Sequence, residues 1–296
     1  MQPNFKLREG SYELMQFPSG ELQVRLDITK HTYTFSEYEG YTNIIIGSIL
    51  CSDHIIELLQ LVDALRYNKP DVNLTLVMPY CAYSRQDRIC NPGESFSLKI
   101  FADLLNSCDF SNVITWDNHS EVSTALINNC YNVSVSKLLY DFDANIIDNI
   151  NLYQYDYFVS PDAGANKKVF NCSQAFNKPM IRADKTRDVT NGKILETIVY
   201  ATPDQLHNAT VLIIDDICQA GRTFEELAKA IKAIEPSCQI HLYVTHGFFN
   251  SGFNKLKEAG ISKFYTTESV PQVHTCNELV ILQWTRTDLI TIDWLN

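Results

Sequence analysis

Short β-rich apolar runs alternate with helix-period segments along the whole chain, and this alternation restricts the fold more than any other feature. Residues 43–49 (NIIIGSI) read as a strand. Residues 53–67 follow as a helix, with Ile55, Ile56, Leu58, Leu59, Leu61, Val62 and Leu65 on its apolar face. Residues 73–79 are the next strand, 97–105 a helix and 112–116 a strand. In the second half, 157–159, 211–214 and 239–244 read as strands, and 223–234 and 250–259 as helices. Parallel strands need long crossovers, which helices supply, and runs apolar at every position are buried on both faces. The expected fold is therefore α/β, with two doubly wound parallel-sheet domains. At 296 residues the chain has the length for both. The division is placed at 142/143, inside LLYDFDANIIDNI, which separates 1–142 from 143–296.

Composition removes several function classes. A formal charge of -11, from 35 acidic against 24 basic residues, disfavours nucleic-acid and anionic-membrane binding, because phosphates attract basic surfaces. The nine cysteines are scattered and never form a CxxC pair, so neither a zinc site nor a disulfide framework has a spacing to support it. Free thiols in a reducing compartment are expected. The N-terminus lacks a basic-then-apolar signal, and no apolar run approaches the ~20 residues that span a bilayer. These features point to a cytoplasmic protein.

In doubly wound sheets ligands bind outside the carboxyl ends of the strands. Here those ends carry YCAYSRQDR (80–88), DNHS (117–120), SPDAG (160–164) and DDICQAGRT (215–223). Each has a plain structural reading alone: a solvated charge run, a surface hydrogen-bonded pair, a helix N-cap. Their joint occurrence at successive strand ends argues for a site. The last is the sharpest. A strand, two carboxylates, a small-residue turn and a helix starting near Thr223 gather N–H groups around one point, which makes an anion site. Asp215 and Asp216 beside it can accept hydrogen bonds from sugar hydroxyls or hold a metal next to the phosphates. Phosphate on one side and hydroxyls on the other outline a phosphorylated ribose.

These motifs carry a resemblance. VLIIDDICQAGRT resembles the ribose-phosphate signature of the phosphoribosyltransferase fold. YCAYSRQDR, DNHS and SPDAGANKKV resemble the ribose-phosphate pyrophosphokinases, or phosphoribosyl pyrophosphate synthetases. So do FPSGE (17–21), the HIIELLQLVDALR helix, RADKTRDV (182–189) and VTHG (244–247), in the family's order. The resemblance implies transfer of the β,γ-diphosphoryl group of ATP to the 1-hydroxyl of ribose 5-phosphate, with Mg²⁺, as a step in nucleotide biosynthesis. It implies ATP contacts from Arg85, Gln86 and Asp87, with Phe17 and Glu21 reaching the adenine from a neighbouring subunit of a homo-oligomer. It places His119 by the ATP phosphates and metal, Asp162 near a second Mg²⁺, and Lys185 and Arg187 on a mobile catalytic loop. The acceptor falls to Asp215, Asp216, Gln219, Ala220, Gly221, Arg222 and Thr223.

The chain departs from the family pattern in three places. The acceptor loop usually reads close to DDxxDTGGT, whereas here Gln219 replaces a carboxylate, Ala220 removes a hydroxyl and Arg222 replaces a small residue. An added guanidinium suits a longer, diphosphate-containing 5′ substituent. ADP-ribose is such an acceptor, used by a branch resembling this family to rebuild NAD. Ribose 5-phosphate bound by a variant loop is the other reading, and it stands first. Only sixteen residues precede Phe17, and the chain stops at TRTDLITIDWLN, short of the family's further helix. Weak or absent allosteric inhibition by ADP is expected from both, with a dimer as open as a hexamer. Two other classes compete: a phosphoribosyltransferase, which lacks RQDR and DNHS, and an inactive regulatory relative, in which the loop lysine or the histidine is lost. Both Lys185 and His119 are present here.

Overall fold

The structure is a computed structural model that describes residues 2–7, 10–27, 42–143, 150–187 and 194–283. The chain divides into two compact units, Met1–Val133 and Ser134–Asn296, the division falling ahead of the one expected at 142/143.

The first unit contains β1 (Lys6–Leu7), β2 (Tyr12–Gln16), β3 (Leu22–Leu26), β4 (Thr42–Ile46), α1 (Ser52–Asn68) and β5 (Asn73–Val77). It continues with α2 (Ser97–Asn106), β6 (Asn112–Trp116), α3 (Glu121–Leu126) and β7 (Cys130–Val133). Its main sheet has the order β1-β4-β5-β6-β7. β4 to β7 run parallel, as expected, while β1 adds an antiparallel edge. The periodicity of α1 buries Leu58, Leu61, Val62 and Leu65, but Ile56 turns outward and Glu57 is buried in its place. The reason is the β2–β3 hairpin, which the sequence reading omitted. Glu57 Oε1 accepts from Tyr12 Oη at 2.5 Å and from the Asn4 N–H at 2.8 Å. Gln60 bridges to β3, accepting from the Val24 N–H and donating to the Leu22 carbonyl, each at 2.9 Å. A buried carboxylate is tolerated where such donors replace water.

The second unit contains α4 (Val135–Asp143), β8 (Tyr157–Ser160), α5 (Asn166–Ala175), β9 (Met180–Arg187), β10 (Ile194–Val199), α6 (Pro203–Leu206) and β11 (Thr210–Cys218). It continues with α7 (Arg222–Ile234), β12 (Gln239–Gly247), α8 (Asn254–Glu258), β13 (Ile261–Thr267) and β14 (Leu279–Leu282). The sheet order is β10-β9-β8-β11-β12-β13-β14, parallel except for β10. α7 buries Phe224, Leu227, Ala228 and Ile231 on one stripe, which seats it on the sheet. α8 is shorter than the helix expected over 250–259.

Chain order reverses at β8: β9 lies on one side of it and β11 on the other. That is the switch point at which doubly wound sheets bind ligands. β8 ends at Ser160, opposite Arg182, and its last pairing with β11 is Val159 to Ile213. Both neighbours continue beyond it. β9 goes on against β10, with Lys185 opposite Thr197, and β11 goes on against β12 as far as Cys218 opposite Gly247. A notch is left above the short strand.

Two expectations change here. Asp215 and Asp216 do not follow the strand but lie within β11, because the ladder with β12 runs through them. Lys185 and Arg187 lie on β9 rather than on a loop, because β10 pairs with that stretch.

Candidate active site

In the first unit the loops after β5 and β6 meet. The chain turns at Tyr83 (φ 61°), and the Gln86 N–H donates to the Tyr83 carbonyl at 2.8 Å. The Leu98 N–H donates to the Gln86 carbonyl at 3.3 Å, tying the loop to α2. Arg85 and Gln86 are exposed. Asp87 accepts from Arg88 Nε at 3.1 Å. Burial raises its carboxyl, but the Ser120 hydroxyl, the Arg88 charge and His119 outweigh that and hold it below the usual range. Asp87 therefore links RQDR to DNHS.

Asp117 opens the DNHS turn with φ 41°, a left-handed value that Asp adopts more readily than most non-glycine residues. The Asp117 N–H donates to the Val133 carbonyl at 2.8 Å, and the Asn118 N–H to Asn132 Oδ1 at 3.0 Å. Ser120 caps α3, accepting from the Val122 N–H at 3.2 Å. Pinned on both sides, the turn leaves His119 exposed.

Phe17 and Glu21 close the β2–β3 hairpin. The Phe17 N–H donates to the Glu21 carbonyl and the Gly20 N–H to the Phe17 carbonyl, both at 2.9 Å. The Phe17 ring is 47% exposed, a large apolar group left in solvent.

In the second unit Asp162, Lys185, Asp215 and Asp216 flank the notch above β8. Asp162 Oδ1 accepts from the Ala165 N–H at 3.2 Å in the turn before α5, whose N-cap is Ala165 and carries no side-chain cap. Its Oδ2 meets Lys185 Nζ at 2.8 Å. The lysine side chain is 3% exposed and that of Asp162 36%. Burial raises the Asp162 carboxyl, but the Lys185 hydrogen bond and charge and the backbone N–H groups prevail and hold it below the usual range. The side chain of Arg187 lies outside the described ones.

Asp215 Oδ1 accepts from the Asp216 N–H at 3.0 Å. Burial, then the adjacent Asp216 charge, push the Asp215 carboxyl well above its ordinary range, against the pull of Lys168. Lys168 Nζ stands 3.5 Å from Asp216 Oδ1. This lysine was quoted in SPDAGANKKV but given no role by sequence reasoning. Nothing in its spacing sets it apart from an ordinary helical lysine.

The turn after β11 is fastened to the segment after β12. Cys218 O accepts from the Phe248 N–H at 2.8 Å, and Gln219 O from the Asn250 N–H at 2.7 Å. Gly221 takes φ 81° and precedes α7; a Cβ there would meet Leu256 at 3.2 Å. The N–H groups of Ala220, Gly221, Arg222 and Thr223 form no hydrogen bond among the described residues, which leaves them for an anion at the helix start. Arg222 is exposed beside them. Cys218 packs in the core, and burial raises its thiol far above the reactive range.

Among the described residues no group of three or more His, Cys, Asp or Glu side chains gathers as a metal site. No helix among them is long and apolar enough to cross a membrane.

Residues 3–108 match the model for the N-terminal domain of ribose phosphate pyrophosphokinase, and residues 145–268 the phosphoribosyl transferase domain. A ribose-phosphate pyrophosphokinase of Thermoplasma acidophilum is 30% identical over 87% of this chain and 83% of its own. One from Thermosipho africanus is 26% identical over 87% and 78%. The crystal structure of phosphoribosylpyrophosphate synthetase from Mycobacterium smegmatis superposes with a TM-score of 0.73 at 20% identity, over 93% of this chain and 86% of that one. With both domains matched in order and a relative 30% identical over most of both chains, this chain belongs to the ribose-phosphate pyrophosphokinase family.

Proposed function

We propose that the protein is an ATP-dependent diphosphokinase that makes phosphoribosyl pyrophosphate from ribose 5-phosphate and releases AMP. In that reaction the acceptor's 1-hydroxyl oxygen attacks the β-phosphorus of ATP. The bond from that phosphorus to the oxygen bridging the α-phosphate breaks, and AMP carries the oxygen away. The observation that carries the reading is the notch above β8. There a buried lysine, three carboxylates and an open helix start lie around the switch point of a phosphoribosyltransferase-type sheet.

On this reading the open N–H groups at α7 and Thr223 take the acceptor's phosphate, and Asp215 and Asp216 accept from its hydroxyls. Gln219 and Ala220 shape the turn between them. Burial and the neighbouring Asp216 charge push the Asp215 carboxyl above its ordinary range, and Lys168 pulls against them. Arg85, Gln86 and Asp87 with its partner His119 serve ATP. Lys185 and Arg187 supply positive charge to the diphosphoryl group as it transfers.

Asp162 fits a cation, since its Oδ2 already holds an ammonium. Mg²⁺ needs only one or two carboxylates beside phosphate and water oxygens, so the lack of a preformed cluster among the described residues does not oppose it. When bound, Mg²⁺ neutralises phosphate charge and so eases attack on the β-phosphorus. An imidazole is a softer ligand than this ion prefers, which assigns His119 to the phosphates. The exposed Phe17 and Glu21 at the hairpin tip support a homo-oligomer in which they serve a neighbour's ATP.

A second reading has its own observation. Arg222 stands exposed at the first position of α7, beside the open N–H groups. A guanidinium there favours an acceptor with a second phosphate, such as ADP-ribose. AMP release from ATP and Mg²⁺, with ribose 5-phosphate and ADP-ribose as separate acceptors, decides between them. Turnover with ribose 5-phosphate supports the first reading and preference for ADP-ribose the second. AMP from neither overturns both and leaves a binding protein.

A further inference from the structure

Lys168 belongs to neither the motif read for the acceptor nor the strand that carries it. It sits on α5, the helix that leaves β8, while Asp216 sits on β11. The two strands are neighbours across the switch point, so the pair joins the two sides of the ligand crevice. Both side chains are largely withdrawn from water, Lys168 at 19% exposure and Asp216 at 6%.

Asp162 has Lys185 at 2.8 Å, while Lys168 stands 3.5 Å from Asp216 and also draws down the carboxyl of the adjacent Asp215. Two neighbouring carboxylates repel, and without a counter-charge one of them turns away or takes up a proton. Lys168 approaches Asp216 from α5, its Nζ 3.5 Å from Oδ1, close enough to act on the carboxylate as a counter-charge.

We propose that Lys168 is a positioning residue for the acceptor: from α5 it fixes the Asp216 carboxylate and supplies the counter-charge that lets the Asp pair receive the sugar hydroxyls. It does so without touching the sugar itself. This rests on the reading that Asp215 and Asp216 hold the acceptor, and the test separates the two.

Steady-state AMP release is measured for wild type, Lys168→Met, Lys168→Gln, Lys168→Arg and Asp216→Asn, varying ATP and ribose 5-phosphate in turn. Calorimetric titration of ribose 5-phosphate gives acceptor affinity without turnover, and melting temperatures check folding. Lys168→Met is expected to raise the acceptor KM about tenfold or more, because it strands a buried carboxylate, and to leave the KM for ATP unchanged. Lys168→Arg keeps the charge and should restore acceptor binding to within about threefold of wild type. Lys168→Gln, the milder change, should fall between Met and Arg. The double variant Lys168→Met/Asp216→Asn should bind acceptor no worse than Asp216→Asn alone, since coupled partners are not additive. If Asp216→Asn weakens acceptor binding while Lys168→Met and Lys168→Gln do not, or if they shift both KM values together, the positioning role is overturned. If Asp216→Asn itself leaves acceptor binding intact, the acceptor reading falls, and the proposal with it.

Discussion

Lys185 Nζ lies 2.8 Å from Asp162 Oδ2, with the lysine side chain almost fully withdrawn from water. On the proposed function, an incoming diphosphoryl group would have to draw Lys185 off Asp162. The pair would hold the lysine's charge beside the place of use and away from solvent. Lys185→Ala is accordingly expected to lower kcat by about 10²-fold or more, with the KM for ATP within about threefold of wild type. AMP release under saturating and limiting ATP measures both. Equal losses in the two constants would make Lys185 a ground-state ATP contact instead.

The same pair sets an acid limit on stability. The Asp162 carboxyl sits below the ordinary 3.8, so its contribution is fully present above that value and is lost as pH falls through the lower folded one. Melting curves from pH 6 downwards should show wild type ahead of Lys185→Met above the ordinary carboxylate range and level with it at the acid end. Because Asp162 is 36% exposed, solvent screening holds the difference to about 1 kcal/mol or less. A gap that is constant across pH would disconnect Lys185 from Asp162.

Asp215 runs the other way. Its carboxyl is raised by burial and by Asp216, so the folded state binds more protons than the unfolded one between 3.8 and the raised value. Stability therefore falls as pH rises through that window. Asp215→Asn removes this cost. The variant should melt about 2–4 °C above wild type at pH 7 and approach it near pH 4, while binding ribose 5-phosphate more weakly. A variant less stable than wild type at pH 7 would contradict the raised carboxyl.

Gly221 sets the turn between β11 and α7. A side chain there meets both the left-handed backbone and Leu256. Gly221→Ala should cost about 1–2 kcal/mol and raise the acceptor KM, because the start of α7 shifts with it. Urea titration and acceptor kinetics read the two effects, and unchanged values in both would place the anion site elsewhere.

Strands β4, β5, β6, β8 and β12 and helices α1, α2 and α7 were legible because continuous apolar runs and helical periodicity survive in a single sequence. The β2–β3 hairpin was also written there, since its buried positions Tyr12, Leu14, Val24 and Leu26 alternate, but the alternation is short and flanked by charge. The carboxyl end of β11 and the whole of β9 were harder. Asp-Asp and Arg-Ala-Asp-Lys-Thr-Arg have poor intrinsic strand preference, and only partner strands make strands of them. Lys168 could not be read at all, because its meaning comes from the strand its helix packs beside.

Because the ladder with β12 continues past Asp215 and Asp216 to Cys218, the two carboxylates belong to the sheet, while Gln219, Ala220 and Arg222 belong to the turn and helix start that follow. On the proposed function, the frame that would meet the sugar is thereby separated from the tip that would meet whatever hangs from its 5′ carbon. Exchanges at Gln219, Ala220 and Arg222 would then retune the accepted tail without moving the atoms around the reacting end. A fold arranged this way gives a lineage a cheap route to new acceptors with the transfer chemistry left in place.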